Sequence, residues 1–439
     1  MAEGRGGRET PRSLRRDLQR GGSQVHRGGD PQAGGGGRVL HAAWPVRRAL
    51  GLARRTGQRA GWPRHVPLGP EARIVTGRIS FSDYLDLVPK VELHCHIAGA
   101  VRATTLVELA VANGVALPRP AETLYQWQDF YGFLEVLRLG ALAVRSKANF
   151  ARVAFECVED MHRHGHVRHI EIFFNPHYYT PNGATYPEIV DGLIEGLEKA
   201  ERAFGVTSRM IACIDRSVCL PSEALQMLDW MAEHPRERVV GVGLDGAERA
   251  GPPLVWVEAW RRAGRAGYKR TAHICEDNQT LFEGPPVHYT HCRDALGCDR
   301  LDHGYNILAD AEITARAARE QIPFTMACWS SIVPNRIPRQ QRIKRMYEAG
   351  FNIVLGTDDP TMFKTTMGHC WRTLFAANGW HVAEARKLSL AGVAASWLSD
   401  DEKAAMTASF TSRLDALEAA LDHDDLSLDL AIERPDPRW

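Results

Sequence analysis

The chain has 439 residues, of which 44 % are hydrophobic, and its formal net charge is only +1. This apolar fraction is ordinary for a soluble globular protein, and the length suits one large domain or two average ones. No apolar run approaches the roughly 20 residues needed to span a bilayer, which excludes a membrane-spanning protein.

The first 70 residues differ in charge from the rest of the chain. They contain 14 Arg, no Lys and four acidic residues, so they carry +10 while the remainder carries −9. Because this Gly- and Arg-rich segment cannot bury much apolar surface, we predict a disordered arm over residues 1–75 and a single domain over 76–439. The arm could bind nucleic acid or act as a transit peptide, but we favour a non-functional extension.

Nine cysteines are dispersed along the chain, and no Cys-x-x-Cys pair occurs. Such a set favours reduced thiols and a cytoplasmic protein. It also excludes a zinc site built from paired thiolates. Nothing in the acidic body indicates a nucleic-acid surface, so nucleic acid would be a partner only through the basic arm.

From about residue 78, short apolar runs alternate with patterns of helical period. Eight runs are predicted as strands, over residues 90–95, 168–174, 207–214, 238–244, 269–274, 300–304, 323–328 and 352–357. This alternation predicts an α/β fold, a closed (β/α)₈ TIM barrel with extra helices in the long gap after strand 1. An open doubly wound sheet is the second choice, but it would need a glycine-rich phosphate loop after strand 1, which is missing.

Metal-ligand side chains follow four of the eight strands. They are His94 and His96 after the first strand, His273 and Glu276 after the fifth, His303 after the sixth, and Asp358 and Asp359 after the eighth. A lone His is more often structural, and a lone Asp-Asp-Pro is more often a turn. Four strands with such residues at the same end are poorly explained by coincidence, because barrel active sites lie there. Three imidazoles and one carboxylate suit zinc, which lowers the pKa of bound water from 15.7 toward about 7.

Five segments occur in a fixed order: PKVELHCHIAGAVR, VVGVGLDGAE, TAHICED, RLDHGYNI and GTDDPTMF. The set resembles the adenosine/adenine/AMP deaminase family, zinc hydrolases of the amidohydrolase superfamily, over about residues 84–395. This resemblance implies hydrolytic deamination of a 6-aminopurine with one zinc ion per chain. The partners would be a small-molecule purine and water, and the chain would not associate with a membrane.

The resemblance also implies a role for each matching position. The zinc ligands would be His94, His96, His273 and Asp358. Glu276 would protonate purine N1 as general acid, and His303 would orient the water and help to deprotonate it. Asp359 would contact the water and purine N7, and the backbone at Gly246 would contact N3.

Several positions depart from the family pattern near the substrate. Ala98 stands where the family has an acid that, in the adenosine enzymes, holds the ribose 5′-hydroxyl. Ile274 and Cys275 replace small residues, and a positive φ at Cys275 would add strain of about 1 kcal/mol. Trp329 and Ile332 replace the Pro and Asn that usually follow the seventh strand. The segments GLDGAE and IEIFFNPHYYT look closer to the adenine-deaminase branch.

These departures leave the substrate open while the catalytic set is complete. Adenosine is the default of the family and adenine is the second choice, followed by an adenine compound modified at N6 or at the 5′ position. A catalytically inactive purine-binding protein on the same fold is the alternative of another class. The oligomeric state stays open.

Overall fold

The computed structural model describes residues 77–278, 280–327 and 339–429. The predicted arm over residues 1–75 lies outside the described residues, as do Trp329 and Ile332. The described part forms parallel strands surrounded by helices, with each strand followed by helical or looped chain.

All eight predicted strands are present, the fifth as two short segments. The strands are β1 Lys90–His96, β2 Val167–Phe174, β3 Thr207–Asp215, β4 Val239–Asp245, β5 Lys269–Arg270, β6 His273–Ile274, β7 Leu301–His303, β8 Pro323–Ala327 and β9 Asn352–Gly356. The break between β5 and β6 does not open the sheet. Thr271 N donates to Val242 O at 2.9 Å, and Asp302 N donates to Ala272 O at 3.0 Å.

The strands close into a barrel at the seam between β1 and β9. Their order is β1 to β5 and β6 to β9, with parallel pairing throughout. His96 N donates to Asp358 O at 2.9 Å, and Asp358 N donates to His94 O at 2.8 Å. Glu92 reinforces this seam, because one of its carboxylate oxygens accepts from Thr357 N at 2.9 Å and from Thr357 Oγ1 at 2.7 Å. The predicted TIM barrel is therefore correct.

Fourteen α-helices are assigned in the described residues. They are α1 Phe81–Leu87, α2 Ala103–Ala112, α3 Ala121–Leu124, α4 Phe130–Ala141, α5 Lys147–Gly165, α6 Tyr186–Phe204, α7 Pro221–Glu233, α8 Val257–Arg265, α9 His288–Thr290, α10 Ala311–Glu320, α11 Arg339–Glu348, α12 Met367–Asn378, α13 Val382–Ala395 and α14 Asp400–Ala420. Helices α2 to α5 fill the long gap after strand 1, as predicted. Among the described helices, none combines the length and apolarity that a bilayer crossing requires.

Local sequence explains where the helices begin and end. In α6 the side chain of Thr185 accepts from Glu188 N, and the Glu188 side chain accepts from Thr185 N, which forms a capping box. The helix ends at Gly205, whose φ of 69° is left-handed and costs glycine little. Strands such as β3 are apolar on both faces, because helices cover the outside of a parallel barrel.

Candidate active site

Four of the predicted side chains converge at the carboxyl end of the barrel. The Nε2 atoms of His96 and His273 lie 3.0 Å apart. Asp358 Oδ1 lies 3.3 Å from His94 Nε2 and 3.6 Å from His96 Nε2. All four residues are buried. The barrel therefore gathers three imidazoles and one carboxylate from β1, β6 and the end of β9 at one point.

The three separations given above are compatible with donors that share a single tetrahedral metal ion. Donors about 2.05 Å from a common zinc ion lie about 3.3 Å from one another, and the three distances above fall on both sides of that value. His94 Nε2 is buried and makes no well-aligned hydrogen bond to any described residue. A buried polar atom without a partner is costly, so an ion at this point would satisfy it.

His303 also belongs to this cluster. The donor atoms of His303, His94, His273 and Asp358 lie within 4.8 Å of one another. The ring of His303 is centred 4.8 Å from the rings of both His94 and His273. Burial, together with the charge of His273, holds the pKa of His303 well below its usual range. A neutral imidazole in this place can accept a proton.

Asp302 orients two of the imidazoles from behind. Its Oδ1 lies 3.8 Å from His94 Nδ1 and its Oδ2 lies 3.2 Å from His273 Nδ1. Thr325 Oγ1 donates to Asp302 Oδ1 at 2.6 Å and lies 2.8 Å from His94 Nδ1. Burial opposes ionisation, but the hydrogen bond and charge of His273 hold the pKa of Asp302 well below its usual range. Asp302 beside Nδ1 of His273 and Thr325 beside Nδ1 of His94 orient the two rings so that Nε2 of each faces the shared centre.

Glu276 lies on the same cavity with a carboxyl group suited to proton transfer. Burial raises its pKa to about 7, an effect that the cation of Arg339 partly offsets. Its Oε1 accepts from Asn278 Nδ2 at 2.6 Å and from Arg339 Nη2 at 2.8 Å. Its backbone N donates to Glu248 Oε2 at 3.2 Å. The group can therefore be protonated at neutral pH while it stays fixed in place.

Asp359 is packed against the loop that follows β1. A Cβ at Gly99 would lie 1.9 Å from Asp359 Oδ1, so only glycine leaves room for this carboxyl. Asp359 Oδ1 is buried and has no hydrogen-bond partner among the described residues. Burial and the neighbouring Asp358 raise the pKa of Asp359 well above its usual range. Asp359 can therefore donate a hydrogen bond into the cavity as a neutral acid.

The two other predicted substrate positions differ in placement. Gly246 lines the cavity and has a φ of 78°, and a Cβ there would lie 2.1 Å from Asp215 Oδ1. Ala98 is half-buried, packs against the apolar core, and is not among the residues that line the cavity. Its predicted role in substrate binding stays a prediction.

Helix α4 covers the cavity opposite the donor cluster with apolar side chains. The cavity has about 420 Å³ of empty space, counted up to its opening to solvent. On this side it is lined by Phe130, Phe133, Leu134, Leu137 and Phe363. The rings of Phe133 and Phe363 stack with centroids 5.1 Å apart. An ion pair anchors α4 to the barrel, because Arg138 Nη2 lies 2.6 Å from Asp215 Oδ2 at the end of β3.

The backbone of Cys275 meets the condition for strain. Its φ is 50°, in the left-handed region, and its Sγ donates to Pro285 O at 3.2 Å. Ile274 beside it is fully buried in the core. The eight described cysteines are all buried and free of disulfides. The cytoplasmic location stays a prediction.

Sequence reasoning missed the residues that support the predicted set. They are Asp302, Thr325, Asn278, Arg339 and Glu248, together with Asp245, whose Oδ2 lies 3.6 Å from His96 Nδ1. Asp302 immediately precedes His303, and a buried strand carboxylate there was a usable signal. Arg339 is more than 60 residues beyond Glu276 in the sequence, and no local pattern links the two.

Comparisons with known proteins agree with this geometry. The adenosine deaminase family model matches residues 89–412. The chain is 32 % identical over 331 residues to an adenine deaminase of Cupriavidus metallidurans, covering 74 % of this chain and 91 % of the relative. It is 31 % identical over 327 residues to an adenine deaminase of Streptomyces coelicolor, covering 73 % and 94 %.

Two solved structures share the fold. One is an amidohydrolase of Burkholderia ambifaria with bound Zn, at a TM-score of 0.72 and 33 % identity, covering 81 % of this chain and 97 % of that one. The other is an adenine deaminase of Arthrobacter aurescens, at a TM-score of 0.69 and 27 % identity, covering 74 % and 99 %. The chain therefore belongs to the adenosine deaminase family and is a hydrolytic deaminase.

Proposed function

We propose that this chain binds one zinc ion and deaminates adenine hydrolytically. The proposed ligands are His94, His96, His273 and Asp358. The observation that carries the proposal is the convergence of these donors at tetrahedral spacing beside Glu276, a buried carboxyl group with a pKa of about 7. The zinc in the Burkholderia ambifaria amidohydrolase and the adenine deaminase relatives support it.

The side chains around the ligands would handle the protons. Zinc supplies a strong nucleophile from water at neutral pH when it is bound. His303, held neutral by burial, would accept a proton from the attacking water. Glu276 would give its proton to ring nitrogen N1, which relieves the charge that builds up as the water oxygen bonds to C6. The C6–N bond would then break as the amino group takes the proton from His303 and leaves as ammonia. The second proton of the attacking water would return to Glu276 as the C6 carbonyl forms.

Two further groups would hold the purine. Asp359 has a raised pKa, and as a neutral acid it would donate a hydrogen bond to N7. The backbone N–H at Gly246, whose positive φ only glycine adopts easily, would donate to N3. Hydrogen bonds at N1, N3 and N7 would fix the base in one orientation over the nucleophile.

The lining of the cavity favours the free base over the nucleoside. Helix α4 offers Phe and Leu side chains, and Ala98 has no acid to receive a ribose hydroxyl. A hydroxyl group desolvated without a partner costs about 1–3 kcal/mol, which works against adenosine. Adenosine remains the competing substrate in the test.

The test is ammonia release by the purified protein from adenine, adenosine and N6-methyladenine. We expect the highest kcat/KM on adenine, with one zinc ion per chain by elemental analysis. The variant Glu276→Gln should keep its zinc and lose about 10²–10⁴-fold in kcat. Binding of purines without ammonia release by the wild-type protein would replace this proposal with the inactive purine-binding protein.

A second variant tests the substrate preference. Ala98→Asp should shift the ratio of kcat/KM toward adenosine by roughly tenfold, because a hydrogen bond to a charged group contributes about 1.5–3 kcal/mol. Ala98→Asn, which has nearly the same shape and no charge, is the matched control and should shift the ratio less. An unchanged ratio in Ala98→Asp would show that this position does not determine the choice of substrate.

A further inference from the structure

Arg339 makes an unusual contact for a cation inside a barrel mouth. It is the first residue of α11, and its side chain is fully buried. Its Nη2 donates to Glu276 Oε1 at 2.8 Å, and its Nε donates to Asp277 Oδ1 at 2.7 Å. Its guanidinium carbon lies 4.9 Å from the centre of the Tyr305 ring. The guanidinium group therefore bridges the carboxyl groups of Glu276 and Asp277.

The hydrogen bonds to Glu276 are asymmetric. Asn278 Nδ2 and Arg339 Nη2 both donate to Oε1. Among the described residues, none makes a hydrogen bond to Oε2. A carboxylic acid that accepts two hydrogen bonds at one oxygen carries its proton on the other, because the hydroxyl hydrogen would collide with the incoming donors. The two oxygens of Glu276 therefore have different tasks.

We propose that Arg339 and Asn278 are positioning residues that keep Oε1 of Glu276 as an acceptor, so that its transferable proton lies on Oε2. This inference rests on the proposed function, in which Glu276 protonates N1 of the purine. In the step, the Oε2–H bond breaks and the N1–H bond forms, while the two donors stabilise the carboxylate that is left behind. Neither residue touches the reacting atoms.

Charge around the carboxyl group allows Arg339 to donate without holding Glu276 permanently ionised. Asp277 takes the other side of the guanidinium, and Arg342 Nε lies 3.6 Å from Asp277 Oδ2. Arg339 and His273 favour the anion of Glu276, whereas Asp358, Asp277 and Asp359 oppose it. His303 Nε2 lies 3.9 Å from Glu276 Oε1. Burial tips the balance, and the pKa stays near neutrality.

The backbone of Glu276 has supports of its own. The backbone N–H of Glu276 donates to Glu248 Oε2. The other oxygen of that carboxylate, Glu248 Oε1, lies 2.6 Å from His288 Nδ1. The backbone C=O of Glu276 accepts from Asn306 Nδ2 at 3.0 Å. Removing a donor to Oε1 should therefore change the carboxyl group and leave the loop in place.

The experiment measures kcat and kcat/KM against pH, with zinc content and Tm, for three variants. Arg339→Met could leave Asp277 buried without its partner, so we pair it with Asp277→Asn in one double variant. Arg339→Lys keeps the charge, and Asn278→Ala removes the neutral donor to Oε1. Arg342→Met is the matched control, because Arg342 contacts Asp277 and Asn306 and does not donate to the Glu276 carboxyl group.

We expect the double variant to keep its zinc and its KM and to lose roughly tenfold in kcat, the worth of one hydrogen bond to a charged group. Its alkaline limb should move to higher pH, because the lost cation of Arg339 lowers the pKa of Glu276 more than the lost anion of Asp277 raises it. Asn278→Ala should lower kcat by less and leave the limb nearly unmoved. Arg339→Lys should restore the position of the limb, and Arg342→Met should match wild type.

Two outcomes would overturn the inference. If the double variant keeps the wild-type kcat and pH profile, Arg339 has only a structural role. A loss of Tm with an unmoved pH profile leads to the same conclusion. The proposed function fails separately, when wild type releases no ammonia from any 6-aminopurine. Wild-type activity that falls 10²–10⁴-fold in Glu276→Gln would uphold that function whatever the Arg339 variants do.

Discussion

The two sides of the cavity are built by different means. On the strand side, four barrel strands place charged and imidazole groups at one point, and Asp302 and Thr325 fix them from behind. On the helix side, α4 presents phenylalanine and leucine side chains and is tied down by the Arg138–Asp215 ion pair. In the proposed function, the strand side would perform the chemistry on a 6-aminopurine and the helix side would select which purine enters.

This division teaches that reaction and specificity can vary independently in this chain. Strand ends are held by sheet hydrogen bonds on both sides, which suits groups that must stay within a fraction of an ångström. A helix inserted between β1 and β2 lies outside that sheet. Its side chains can change without disturbing the metal donors.

The largest effect should come from breaking the strand side. His96→Ala removes one of the donors that lie 3.0–3.6 Å apart, so zinc content should fall from one ion per chain to a small fraction. Loss of an outer partner already costs 10–100-fold in metal affinity, and loss of a ligand should cost more than about 100-fold in kcat/KM. Elemental analysis and ammonia release check both.

The control for this variant is His381→Ala, at a half-exposed histidine that belongs neither to the donor cluster nor to the cavity lining. It should keep zinc and activity. Full zinc occupancy in His96→Ala would contradict the ligand set, and His303 would then be the donor to remove next, because its nitrogen lies within the same cluster.

A smaller effect should come from the helix side. Phe133→Ala removes a ring that is 4 % exposed and lines the cavity, so KM for adenine should rise. Burial of a side chain of this size contributes about 1.5–3 kcal/mol, which predicts a loss of roughly 10–100-fold in kcat/KM. Zinc content should not change.

Tyr131→Ala is the matched control on the same helix, since this ring is 46 % exposed and is not part of the cavity lining. It should stay within about twofold of wild type in kcat/KM. Loss of zinc from Phe133→Ala would show that the two sides of the cavity are not independent.

The smallest effect concerns Cys275, two residues after the proposed metal ligand His273. Its left-handed φ of 50° strains any residue with a Cβ by about 1 kcal/mol. Cys275→Gly relieves this strain and Cys275→Ala does not, although both lose the Sγ contact with Pro285. The glycine variant should be more stable to urea than the alanine variant by about 1 kcal/mol. Equal stabilities would mean that the backbone relaxes around Cβ at this position.

The strand side could be read from the sequence because each group stands next to a strand end. His94 and His96 lie two residues apart on one strand, and Asp358 follows the last strand directly. Barrel geometry then brings these ends together, whatever their separation in the chain. The closed barrel was predictable from the alternation of eight apolar runs with helical patterns, and the extra helices from the long gap after strand 1.

The supporting contacts were harder to predict. Arg339 reaches Glu276 only because α11 starts beside the barrel mouth, and that position is a result of tertiary packing. The apolar lining of α4 looks like the buried face of any amphipathic helix. The close approach of the Asp359 carboxyl group to Gly99, which leaves no room for a Cβ, could not be predicted from the sequence.

The seam between β1 and β9 has a consequence for how the protein unfolds. His94 and Asp358 are roughly 260 residues apart in the chain, yet an ion held by both would cross-link the first and last strands. The ion would therefore close the largest loop in the domain, and β1 and β9 could not separate until the ion is released. A chelator would then act first on the seam. Amide hydrogens at the edge between Glu92 and Thr357 would lose protection before those of β2 and β3 on the continuous side of the barrel.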